Sequence, residues 1–143
     1  ILNVFWMAIA RGLIPVLAVW TIYEGWVKAI PYAILAFLWV LGFQPTKDIE
    51  DLVGDKAFHI KTMFSEYGHN GLLLWMGIFG WIYAFTCIIF QLNIMMLLCI
   101  IGGASILGVT KKSRFTENNY GWVGFYLGLG LFFILMFLTE WLT

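Results

Sequence analysis

Five long stretches with almost no charge decide what this chain can become. Residues 1–23, 27–46, 70–90, 92–110 and 120–141 each approach the roughly 20 apolar residues that cross about 30 Å of hydrocarbon, and only Arg11, Lys28 and Glu140 interrupt them. The chain is 62% apolar and 11% charged; soluble domains average about 45–50% and about 25%. Inside a bilayer every backbone N–H and C=O must be satisfied within its own segment, which a helix does and a single apolar strand does not. The expectation is an all-α, polytopic transmembrane helical bundle of five helices, a single domain over 1–143 with the lipid bilayer as its first partner. Eight basic and eight acidic side chains cancel, so there is no basic surplus for nucleic acid. Cys87 and Cys99 lie in apolar runs and match neither a disulfide framework nor a metal spacing.

The charges are concentrated. Lys47, Asp48, Glu50, Asp51, Asp55, Lys56, Lys61 and Glu66 share one polar segment, 47–68, and Lys111, Lys112, Arg114 and Glu117 share another. With five alternating helices these loops fall on one side and carry six basic residues, against Lys28 alone on the other. The positive-inside rule then makes the 47–68 loop cytoplasmic and puts the C-terminus on the opposite side. The chain begins at Ile1 within an apolar run, without Met, charged flank or cleavage site; the expectation is that a preceding segment is missing.

Asp48, Asp51 and Asp55 stand at i, i+3 and i+7. If the second helix continues past the membrane, they form one stripe of carboxylates, which repel without a cation. Mg²⁺ would remove that conflict, and it commonly joins one or two protein carboxylates to a substrate's phosphates. The bland alternative is a solvated loop with its acids paired to Lys47, Lys56 and Lys61. Glu50 points off the stripe.

The run Thr46-Lys47-Asp48-Ile49-Glu50-Asp51-Leu52-Val53-Gly54-Asp55-Lys56, with Ile60-Lys61-Thr62 and Gly68 after it, resembles the second aspartate-rich motif of the UbiA superfamily of intramembrane prenyltransferases. Two helices before the motif and three after match the second half of such a nine-helix bundle. The resemblance implies Mg²⁺-dependent transfer of a polyprenyl group from its diphosphate to an aromatic or other hydrophobic acceptor. It implies Asp51 and Asp55 as principal Mg²⁺ ligands, Asp48 as a further ligand, Lys61 as a diphosphate contact and Lys47 and Lys56 as weaker ones. Thr62 matches the motif with a role that is open. His59 departs from it, because the family has glycine there. The family's first aspartate-rich motif is absent, so activity would require a missing N-terminal half that supplies it. The alternative is a non-catalytic subunit of a membrane complex that keeps the fold.

Arg11, inside the first apolar run, needs protein or water around it; a structural partner or a place beside the diphosphate are the two readings. Glu24 and Lys28 read as an interfacial pair. Pro15, Pro31 and Pro45 predict bends, the last of them aiming the aspartates. Gly124-x-x-x-Gly128 has the spacing for close helix approach. Trp26, Trp122 and Trp141 fit an aromatic belt, and Trp39, Phe43, Trp75, Phe79 and Tyr83 read as helix packing before channel lining.

Overall fold

A computed structural model describes residues 2–49, 51–104 and 120–142, and among them only helices occur. They are α1 (Leu2–Glu24), α2 (Trp26–Phe43, extended by a 3-10 turn Gln44–Ile49), α3 (Leu52–Ala57), α4 (Met63–Ile89), α5 (Asn93–Gly103) and α6 (Tyr120–Leu142). Among the described residues three segments are long and apolar enough to cross a membrane: Leu2–Glu24, Trp26–Ile49 and Met63–Ile89. Asn93–Gly103 and Val123–Thr139 are shorter apolar stretches. The fourth expected span, 92–110, is thus seen only in part, and the second charge cluster, 111–119, lies outside the described residues. So do Glu50 and the side chains of Trp122 and Trp141.

Helix α2 is the hub. It is buried nearly all round, from Ala29 and Tyr32 to Phe43, because α1, α4 and α6 each pack on a different side of it. Gly12 permits the closest approach: a Cβ there would lie 2.6 Å from the Ala36 carbonyl oxygen and 2.9 Å from the Phe37 Cα. Pro15 denies a hydrogen bond to the carbonyl four residues earlier, and α1 widens into a π turn over Ile9–Leu13, where the Ile14 N–H bonds to the Ile9 oxygen. Pro31 leaves α2 an uninterrupted helix. Gly25, at φ 82°, makes the reversal between α1 and α2, and Glu24 meets Lys28 across it at 2.9 Å, as their spacing implied.

The glycines of α5 and α6 serve aromatic rings more than backbones. The fully buried Trp39 indole lies against Gly102 and Gly128, where a Cβ would overlap it, and a Cβ at Gly103 would come within 3.1 Å of the Phe43 ring. Trp39 also meets Tyr83 edge-on, with centroids 6.0 Å apart. Trp39 and Tyr83 are fully buried in helix packing, while Phe43 also lines an apolar cavity of about 280 Å³ with Met76, Trp81 and Cys99. Arg11 bonds to Tyr126 and Trp20 packs on Phe137, 5.2 Å between centroids. Both sequences advance together along that seam, so α1 and α6 run parallel.

Candidate functional site

The polar segment is not one long α-helix. The α-helical part of α2 ends at Phe43, and the 3-10 turn beyond it carries the first charges, Lys47 and Asp48. Pro45 tightens that turn. It has no N–H, so the Leu41 carbonyl loses its helical donor, and the Trp75 indole of α4 supplies one at 2.9 Å. Thr46 adds a hydroxyl bond to the Phe43 carbonyl at 2.7 Å. The turn that carries Lys47 and Asp48 is therefore pinned to α4.

Asp51 occupies the N-cap of α3 with an exposed side chain that makes no cap bond, and Asp55 follows one turn later. The expected continuous stripe is broken into a 3-10 end and a separate short helix, yet its charges still meet. Burial first, then the carboxylates of Asp55 and Asp51, raise the Asp48 pKa from 3.8 to about 6, with Lys47 opposing. Asp55 is 8% exposed and its Oδ2 is buried with no hydrogen-bond partner among the described residues.

The end of α3 turns the chain back. The Ile60 N–H reaches the Asp55 carbonyl at 2.8 Å and the His59 N–H reaches that of Lys56 at 3.4 Å, with His59 at φ 55°. This is the helix C-cap geometry in which the left-handed residue is usually glycine. His59 thus holds, at a cost in backbone strain, a conformation that glycine takes freely. Thr62 then caps α4: its hydroxyl accepts from the Ser65 N–H at 3.2 Å while the Ser65 hydroxyl accepts from the Thr62 N–H at 2.8 Å. Its open role is structural. Gly68, at φ 63° and ψ −164°, breaks α4 six residues in, a conformation close to exclusive to glycine. The third span therefore begins earlier than expected, with a bent first turn.

These turns border an open depression of about 200 Å³ lined by Asp55, Lys56, His59, Ile60, Lys61, Ser65 and Glu66. Of the expected site residues, Asp55, Lys56 and Lys61 line it; Asp48 and Asp51 do not, although Asp55 and Asp51 both act on Asp48 through charge, and Lys47 is exposed. Among the described residues no three His, Cys, Asp or Glu side chains converge as a metal-holding group. Arg11 stands apart, bonded to Tyr126 at 3.1 Å, about 14 Å along α1 from Leu2. Glu66 and Ser65 were not anticipated. Glu66 faces Lys61 at 3.9 Å, and the only hint of Ser65 was its place three residues after a threonine that could cap. No family model matches the chain, and no curated protein and no solved structure matches it.

Proposed function

We propose that this chain is the second half of a UbiA-type intramembrane prenyltransferase, and that the cavity beside Asp55 receives the diphosphate of a polyprenyl donor together with Mg²⁺. The observation that carries the reading is the buried, unpartnered Asp55 Oδ2, coupled to Asp48 and Asp51 and walled by Lys56 and Lys61. A carboxylate oxygen buried without a donor is costly, and Asp48 beside the carboxylates of Asp55 and Asp51 adds negative charge that a cation would offset. His59 in the left-handed conformation, where the motif has glycine, supports the same alignment. All five apolar stretches cross the membrane in this reading, with the cavity on the cytoplasmic side and the C-terminus opposite.

Asp55, with either Asp51 at the cap of α3 or Asp48, would hold the metal in the mode that uses one or two carboxylates and completes the shell with phosphate oxygens and water. Bound there, Mg²⁺ would supply charge stabilisation to the departing diphosphate. Lys61 is loosely paired and 79% exposed at its side chain, so its ammonium is available to a phosphate oxygen at little cost. Lys56 and Lys47 add positive potential at the entrance. The apolar donor tail lies among the helices, and an aromatic or lipid acceptor attacks the carbon from which the diphosphate leaves. The first aspartate-rich motif of the family would come from the upstream half.

Membranes holding the full-length protein, given geranylgeranyl or longer diphosphates, Mg²⁺ and a panel of aromatic and lipid acceptors, test this. Asp51→Asn and Asp55→Asn should each abolish most transfer with near-normal expression. Lys61→Met should lower turnover and weaken donor binding together, as expected of a contact that strengthens in the transition state. Wild-type turnover in all three variants would overturn the site, and no transfer by the full-length protein with any acceptor would favour a non-catalytic subunit.

A further inference from the structure

His59 holds a left-handed backbone, φ 55°, that a residue with a Cβ adopts at a cost and glycine adopts freely. The bonds that fix the turn, from the Ile60 N–H to the Asp55 carbonyl at 2.8 Å and from the His59 N–H to that of Lys56 at 3.4 Å, need only the backbone of residue 59. What glycine could not supply there is the imidazole, and it lines the open depression beside Asp55, Lys56 and Lys61. Strain kept at a residue whose side chain faces a polar depression points to a use for that side chain. The other lining groups divide by charge and by commitment. The Ser65 hydroxyl belongs to the turn: it accepts from the Thr62 N–H at 2.8 Å and directs its proton between the Ile60 and Thr62 carbonyls, 3.2 Å from each. Ionised Asp55 and Glu66 only accept. Lys56 and Lys61 act on an anion as point charges, and His59 stands between them in the turn with an N–H that donates whether the ring is neutral or protonated.

We propose that His59 is a substrate contact, its imidazole N–H donating to a phosphate oxygen of the diphosphate that Lys56 and Lys61 attract. The contact rests on the reading of this depression as a diphosphate site, and it is one that the resembled motif, with glycine at this place, does not have. A role as metal ligand is disfavoured, because Mg²⁺ takes oxygen and not nitrogen donors. A directed N–H fixes where a phosphate oxygen lies, which a flexible ammonium does not.

Full-length protein in lipid nanodiscs, titrated with inorganic pyrophosphate in the presence of Mg²⁺ and followed by calorimetry, tests it. His59→Gly keeps the left-handed turn and removes the imidazole, so it should weaken pyrophosphate binding about tenfold, the scale of one hydrogen bond to a charged acceptor, with the melting temperature unchanged or raised. The same factor should appear in the Lys61→Met background, because a contact of its own does not need Lys61. Mg²⁺ and pyrophosphate together should also protect the wild-type His59 ring from diethyl pyrocarbonate, read by peptide mass spectrometry. An affinity within about twofold of wild type in His59→Gly, an unprotected ring, or an effect that vanishes in the Lys61→Met background would overturn the proposal, the last leaving His59 as a residue that only places Lys61. Asp55→Asn separates this contact from the site it rests on. Binding lost in Asp55→Asn but kept in His59→Gly refutes the His59 contact alone, whereas wild-type binding in Asp55→Asn, or none by the wild type, refutes the diphosphate site and the contact with it.

Discussion

Replacing Trp75 by phenylalanine removes one indole N–H and keeps an aromatic ring against Phe79, whose centroid lies 4.6 Å away. The lost donor is the one that satisfies the Leu41 carbonyl, which Pro45 cannot serve. A carbonyl left unpaired in an apolar interior costs about 1–3 kcal/mol, so Trp75→Phe should destabilise the fold by about that amount, with a smaller share from the reduced ring. The reasoning makes a sharper demand through Pro45. Pro45→Ala restores a backbone N–H within reach of the Leu41 carbonyl, so in that background Trp75→Phe should cost less by roughly 0.5–1.5 kcal/mol, the net worth of one such bond. Denaturation of the four proteins of the cycle in mixed micelles, followed by helical circular dichroism, measures the difference. Equal cost in both backgrounds would show that the indole contributes packing alone and does not replace the donor missing at Pro45.

The raised Asp48 pKa sets a pH dependence: an acid moved from 3.8 to about 6 folds best when protonated, so its contribution is fully present below 3.8 and is lost as pH rises through about 6. In Mg²⁺-free buffer the melting temperature should fall across that window, the fall should be reduced in Asp48→Asn, and a slope unchanged by the substitution would exclude Asp48 as its source. At the left-handed cap of α3, His59→Gly should be neutral or stabilising within about 1 kcal/mol and His59→Val destabilising by about 1–2 kcal/mol; the reverse order in thermal melts would mean that the cap is not formed. Gly12→Val should separate α1 from α2 and destabilise the fold by about 1–3 kcal/mol or more, because the Ala36 backbone it meets has no flexible end to yield. A melt unchanged by that substitution would contradict the close crossing.

How far the sequence could be read depended on where tertiary contacts intervene. The first two long apolar helices were legible because a single charge each, Arg11 and Lys28, interrupts about 20 apolar residues, enough to match the hydrocarbon layer. The third began early because Thr62 and Ser65 cap one another in a polar stretch that hydropathy alone assigns to a loop, and the break at Gly68 follows from a backbone angle that composition does not express. Gly124-x-x-x-Gly128 suggested two backbones in contact, but Gly128 admits the Trp39 ring. A glycine's vacant volume is visible in a sequence. Its occupant, eighty-nine residues earlier, is not.

The carboxylates show the same division more sharply. Spacing at i, i+3 and i+7 placed Asp48, Asp51 and Asp55 together on the premise of one continuous helix, and that helix does not exist: Pro45 turns the chain into a 3-10 segment, and α3 starts afresh at Asp51. Asp48 still feels Asp55 and Asp51, because a 3-10 turn and a capped helix start keep near neighbours in sequence near in space. What spacing could not yield is the basic wall. Lys61 is six residues beyond Asp55, which on a continued helix would place it most of two turns away. It shares a cavity with Asp55 only because His59 adopts φ 55° and sends the chain back across the end of α3. The strain at one non-glycine residue therefore brings cation and carboxylate to the same cavity. A substitution at His59 that straightens this turn should separate Lys61 from Asp55 before it disturbs any helix that crosses the membrane.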